Sequence, residues 1–580
     1  LKRYDTKQPY PFLRSEQHTT TEKMVTKGVQ FPINSKGSRS TTEVAKSIWS
    51  KAFAACSLDP SNDEILKEKL RKLDSEPNWR KNYDSHVFDL YLHHVVDTPE
   101  KTVEFCKQGI KATYEQFEFV CDEENGEAMN LQTYMDQSTS ELPDTFVVET
   151  KTYKKNAPVA IEDLLFINNN DETLKSSSKS SSYHESSKRE QVLDWLRMRQ
   201  ADGEMESDVV YAIEQLLENY QEGKQWEKEL KEIYFVLLGA TSELCPFQNL
   251  IDLGLNVIAI ARPNKARQAK LINYVEAAAN GSTLTLPIVA RNQATNSVSD
   301  VEPYNNDTIS NVCGADVLVD TAAIRNWLLS LYPGKRMVIG SYIYLDGGNH
   351  VRANVATDAI TASTVEKRED VHVSFLASPA TVYPIPVAAY EDSVKRRATQ
   401  EKSSPLWYSL VGKVLGPFKP NVQPSVVATQ VNLSAADQSK EIHLYNGIIN
   451  VQGPNYLLAK TLQNWRCVVC REVDKRRVSM NCAPTCTTES VMHVPAVARS
   501  VKGMRSFPPL NYYEPGLARN LMSMLLLYDM SSPASTANPL VELKNPMYII
   551  STNAVHGGLW RSPDSLPSIS KAAFLYGLTK

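Results

Sequence analysis

Two tyrosines in this 580-residue chain sit at spacings that could move protons. Tyr456 lies in the stretch GPNYLLAK, with Lys460 four residues on. Positions i and i+4 share a helical face, and an ammonium placed there lowers a phenol's pKa for proton transfer. The apolar run continuing through Leu462 and Trp465 to Val469 predicts the helix that carries both. Tyr390 is the rival, but its nearest downstream lysine is Lys395 at i+5, about 140° around a helix. A second chemistry, phosphate binding, is offered further upstream. Ile233 to Leu238 is a continuous apolar run, as in a strand buried on both faces, and it ends in Gly239, Thr241 and Ser242. A helix-like stretch and a second buried strand, Asn256 to Ile260, complete a βαβ unit of roughly 30 residues. That order puts a helix N-terminus, with its unpaired amides, at the end of the first strand. Arg262, Lys265 and Arg267 follow the second strand as a basic turn. Cys467, Cys470, Cys482 and Cys486 have a spacing that a zinc site could use, but their places in an apolar helix and strand equally suit small buried side chains, so metal is not assigned.

From Ile233 to about residue 560 these pieces resemble the short-chain dehydrogenase/reductases. The stretch LLGATSELCPFQNLIDLGLNVIAIARPN resembles that family's first βαβ, whose turn reads TGxxxGxG. Gly239 keeps the first glycine, while Glu243 and Cys245 replace the others, and side chains there are expected to crowd a phosphate. Gly314 to Ala323 resembles the fourth strand and its NNAG motif, which would bring Ala322 to the cofactor. His350 to Thr364 resembles the helix with the family's structural asparagine, here Asn354, and Val371 to Ser378 the fifth strand with the substrate-binding serine, Ser378. Arg477 to Pro484 resembles the sixth strand and its turn, placing Pro484 beside the cofactor. Met547 to Gly558 resembles the closing strand. The resemblance implies an α/β, doubly wound Rossmann domain and NADP-linked reduction of a ketone or aldehyde. Tyr456 would be the acid, Lys460 would hold the ribose, Asn354 would support a water relay and the basic turn would select NADP. The glycine losses favour a different class, a reductase-like scaffold that kept the fold and gave up turnover.

Around this domain, composition shifts suggest an extended arm over 1–40, a mostly helical module over 41–165 and a serine-rich linker over 166–190. A helical lead-in over 191–230 and the Rossmann domain over 231–580 follow, the latter interrupted by an insertion at about 380–448. Within the insertion, the clustered large apolar residues of Pro405 to Pro420 suggest a substrate lid, a partner contact or simply packing. The balance of 63 basic and 67 acidic residues offers no broad cationic face for nucleic acid. No apolar run reaches the ~18 residues of a membrane span. Nine scattered cysteines suit a reducing compartment, so the expectation is an intracellular, soluble protein acting on a small carbonyl compound. Its N-terminal module and insertion are offered to a homodimer mate or another protein. The opening Leu1 leaves the true start, and with it any targeting segment, unread.

Overall fold

The computed structural model describes residues 27–56, 63–96, 98–122, 127–140, 142–150, 154–166, 187–289, 306–403, 413, 418–425, 441–449 and 452–578. Among the helices that precede strand β1 (Asp144–Glu149) are α1 (Thr41–Ala54) and α2 (Pro99–Gln116). Helices α3 (Lys188–Asp202) and α4 (Ser207–Asn219) lead into β2 (Tyr234–Leu238), α5 (Phe247–Asp252), β3 (Asn256–Ile260), α6 (Lys265–Ala278) and β4 (Thr283–Ile288). Then come α7 (Thr321–Ser330), β5 (Met337–Ser341), α8 (Gly347–Lys367), β6 (Val371–Ala377) and α9 (Val387–Ser403). The chain continues with α10 (Pro454–Glu472), β7 (Val478–Cys482) and α11 (Pro515–Ser531).

These strands form one sheet in the order β7-β6-β5-β2-β3-β4-β1. The six from β2 to β7 are parallel, and β1 closes the edge antiparallel to β4. Order runs outward from β2 in both directions, the doubly wound arrangement, because each crossover helix must return over one face or the other. Side chains alternate accordingly. Val236, Leu238, Ile339 and Val373 point to a core shared with α7, α8 and α10, whereas Phe235, Leu237, Val257 and Val338 point to one shared with α5, α6 and α11. Burial on both faces explains why these strands read as unbroken apolar runs.

A third layer lies outside the first of these cores. Helices α1 and α2 pack over α10, with Tyr114 of α2 reaching α8, and the joint centres on Trp465 of α10. Its indole meets Trp49 edge-on at 5.4 Å and Phe105 at 5.5 Å between ring centroids. Gly109 on α2 makes room for it, since a Cβ there would fall 2.6 Å from the indole carbons. Beside this contact Arg466 grips Asp358 with two bonds of 2.8 Å, and Tyr114 of α2 donates to the same carboxylate at 3.0 Å. A buried ion pair offsets its desolvation only when its remaining lone pairs are met, as they are here by Tyr114.

Four expectations are corrected by this architecture. Gly314 to Ala323 is not the fourth strand: Met337 to Ser341 takes that place, and Gly314 makes a single parallel bridge to Ile288 before the chain turns into α7. Met547 to Gly558 is a 3₁₀ turn (Pro546–Ile550) and loop instead of a closing strand. The seventh strand comes from residues 144–149, so the segment 41–165 contributes a strand to the main sheet. Gly28–Gln30, expected within an extended arm, pairs with Glu118–Val120 in a small sheet and is buried. The insertion contributes α9 and a three-stranded antiparallel sheet of Val382–Ile385, His443–Asn446 and Val422–Pro424. The serine tract over 171–186 and most of Pro405 to Pro420 lie outside the described residues.

Candidate active site

Parallel sheets gather their loops at the carboxyl ends of the strands, and that edge collects nearly every residue singled out from sequence. Ser378 directly follows β6, and its Oγ accepts from the Ala380 amide at 3.2 Å. Across from it, the first turn of α10 presents Tyr456. Ser378 Oγ and Tyr456 Oη share a hydrogen bond of 2.9 Å. Lys460, one turn further along, donates from Nζ to Gln463 Oε1 at 3.1 Å. Asn354, from the buried face of α8, accepts from Gln463 Nε2 at 2.7 Å. Thus Asn354, Ser378, Tyr456 and Lys460, spread over 107 positions of sequence, meet at one place.

Electrostatics give the phenol and the amine distinct states. Burial raises Tyr456 above its ordinary value, and the Ser378 bond only partly counters this. Burial also lowers Lys460, to about 8. The expectation that the ammonium lowers the phenol is therefore not what the arrangement displays: Lys460 is drawn toward Gln463, and Tyr456 keeps its proton at neutral pH. A protonated phenol beside a serine hydroxyl can donate to an oxygen placed between them.

Tyr390 goes elsewhere. It sits on α9 with its ring stacked on His443 at 3.9 Å, in the small insertion sheet. Among the described residues, Ser378 bonds to Tyr456 and Lys460 to Gln463, and neither to Tyr390. Ala322 is likewise displaced from the expected role, because it lies in the first turn of α7 with no exposed surface, inside the core. The chain leaving β5 (Ser341, Tyr342, Ile343) takes its place at the edge.

The turn after β2 decides whether a dinucleotide suits the chain. Gly239 has φ +91°, a conformation open to glycine, and a Cβ there would meet Ile343 at 2.7 Å. Cys245 turns inward and is 2% exposed, so its thiol does not crowd the surface as expected from sequence. Glu243 is exposed, and its carboxylate accepts from the Glu489 amide at 2.8 Å, spanning from the first strand's turn to the segment after β7. Arg519 reaches under the same turn and donates to the Glu243 carbonyl at 3.4 Å. Thr241 is exposed, as are Arg262 and Lys265 at the end of β3; Pro484 is buried in the turn after β7. Cations at Arg262, Lys265, Arg519 and Lys460 suit an anionic dinucleotide along this edge, with the Glu243 carboxylate opposed to it. On that donor set the residues present fit the group.

Two site residues escaped the sequence reading, Gln463 and His350. The His350 ring stacks on Tyr456, with centroids 5.4 Å apart and planes 16° from parallel. The four cysteines of the zinc pattern do not converge: Cys467, Cys470 and Cys482 belong to the core on one face of the sheet and Cys486 to that on the other. Compared with protein families, curated proteins and solved structures, the chain matches none.

Proposed function

We propose that this chain is a divergent carbonyl reductase in which Tyr456 is the acid that protonates a ketone or aldehyde oxygen, with NADPH as the reductant. The 2.9 Å contact between Ser378 and Tyr456, with Lys460 one turn along the same helix, carries the reading. Bound NADPH would supply a hydride, with Gly239, Thr241 and Ser242 along its phosphates, Arg262 and Lys265 near the 2′-phosphate, Lys460 toward its ribose and Pro484 beside it. The chain's own residues supply the rest. Ser378 Oγ and Tyr456 Oη form a pair of donors for the substrate oxygen. The raised pKa of Tyr456 keeps its proton in place until that oxygen becomes basic, which favours the reductive direction at neutral pH.

A second reading, a scaffold without turnover, is favoured by Glu243, whose charge faces the path of the phosphates. The experiment that separates them starts with the full chain and NADPH. Failure of millimolar NADPH to change fluorescence or melting temperature would end the reductase reading. If it binds, oxidation of NADPH over a panel of ketones and aldehydes compares Tyr456→Phe with Tyr390→Phe. The first is expected to lose about 10²-fold or more in rate and the second to keep it.

A further inference from the structure

The hydrogen bonds around Lys460 form a chain whose every direction is forced. An ammonium can only donate, so the Gln463 atom facing Lys460 at 3.1 Å is the carbonyl Oε1. Gln463 must then offer its amide Nε2 to Asn354, and the atom receiving it at 2.7 Å is Oδ1. That leaves Asn354 Nδ2, which donates to the His350 carbonyl at 2.8 Å and faces His350 Nδ1 at 3.3 Å. The Leu345 amide donates to the same Nδ1, also at 3.3 Å. Two donors on one ring nitrogen fix it as an acceptor, so the imidazole proton rests on Nε2. Gln463, Asn354 and His350 are 4%, 2% and 1% exposed, which leaves little access for solvent to any link.

We infer that Gln463 is a positioning residue for the Tyr456–Lys460 pair: it fixes the ammonium through a buried side-chain chain that ends on the His350 ring stacked against the phenol. This rests on reading that pair as the proton-transfer site. Primary amides hold protons firmly, so the chain orients groups and does not conduct. Asn354, with its carbonyl engaged by Gln463 and its amide by His350, then acts as a brace in place of the water relay that the resemblance implies. The neutral state of His350 belongs to the same design. Burial and the nearby Lys460 hold it down to about 3, so its tautomer persists across the pH range in which Lys460 titrates. Among the described titratable groups, His350 on α8 feels the charge of Lys460, and Tyr456 lies one turn away on the same helix.

Lys460 can be observed without any substrate. Competitive acylation of the full chain with acetic anhydride, followed by peptide mass spectrometry across pH, reports its protonation midpoint. In the unaltered protein this is expected near 8. Gln463→Met removes the acceptor and should lower the midpoint by about one pH unit, making acylation near neutrality roughly fivefold faster. Gln463→Glu puts a carboxylate at the same distance and should raise the midpoint by at least as much. A residue that merely packs would not move Lys460 in opposite directions with its two near-isosteres, and coincident midpoints in all three proteins overturn the inference. Either variant decides by its sign if the other does not fold, as judged by circular dichroism. Midpoints that move while NADPH fails to bind would sink the reductase reading alone; unmoved midpoints with NADPH bound would sink the role of Gln463 alone.

Discussion

Changing Glu243 to Gln isolates the charge at the phosphate turn from its geometry. The Gln side-chain carbonyl can still accept from the Glu489 amide, which Glu243 now holds at 2.8 Å, so the link across the sheet edge survives. What disappears is one negative charge beside the path of a diphosphate. At about 7 Å in a solvent-exposed setting, each pair of unit charges repels by roughly 0.6 kcal/mol in bulk water, and more where protein displaces solvent. Two phosphate charges therefore give about 1–2 kcal/mol, or roughly a 5- to 30-fold tighter Kd for NADPH. Exposed charges are screened by ions, with a Debye length of about 10 Å at 0.1 M salt, so the gain should shrink as salt rises. Fluorescence titration of both proteins at low and high salt measures it. An unchanged Kd for Glu243→Gln, or a difference indifferent to salt, would refute the view that this carboxylate opposes the cofactor.

Three other outcomes follow from the geometry. Asp208, on the first turn of α4, has its carboxyl pushed up to about 6 by burial, with the charge on Glu206 adding to the effect. A folded pKa above the unfolded value of 3.8 means this group favours folding at low pH and opposes it increasingly between about 4 and 6. Asp208→Asn should accordingly stabilise the protein by about 1–3 kcal/mol above pH 6 and by little at pH 4, as chemical denaturation at the two pH values will report. Gly109→Ala gains about 1 kcal/mol of helix propensity but drives a methyl into Trp465; overpacking of up to about 3 kcal/mol should win, and a rise in the denaturation midpoint would contradict it. Ser378→Ala should slow carbonyl reduction while leaving NADPH affinity unchanged, because the serine faces Tyr456 and the substrate oxygen; a parallel loss of cofactor binding would place it differently.

Much of the sheet was legible because its strands announce themselves. IYFVLL and NVIAI, buried on both faces, cannot be confused with amphipathic segments, and the spacing between them leaves room for a single helix. Ser378, Tyr456, Lys460 and Asn354 were legible through motif order, and the folded chain brings them together. The fourth strand was not, since ADVLVD and RMVIGS are both short apolar runs, and only the pairing of Met337–Ser341 with Tyr234–Leu238 decides between them. Strand β1 was missed because DTFVVE is an edge strand with mostly exposed side chains, so no buried run marks it. Gln463 and His350 were invisible for another reason: their roles arise from side chains that meet across two helices, and neither residue type nor spacing signals that meeting.

The outer layer of α1 and α2 has a consequence for how the protein is made. Thr102, near the start of α2, receives a buried hydrogen bond from Asn545, 443 residues later. Trp49 and Phe105 find their cover on Trp465 of α10, which begins roughly 340 residues after α2 ends. At a synthesis rate of about 5–20 residues per second, the ribosome needs on the order of 20–70 seconds to deliver that cover. For that interval Trp49, Phe53, Tyr91 and Phe105 can pack on one another, while the face that Trp465 later fills stays open. Such an emerging chain is a natural client for the chaperones that bind exposed hydrophobic surface during translation.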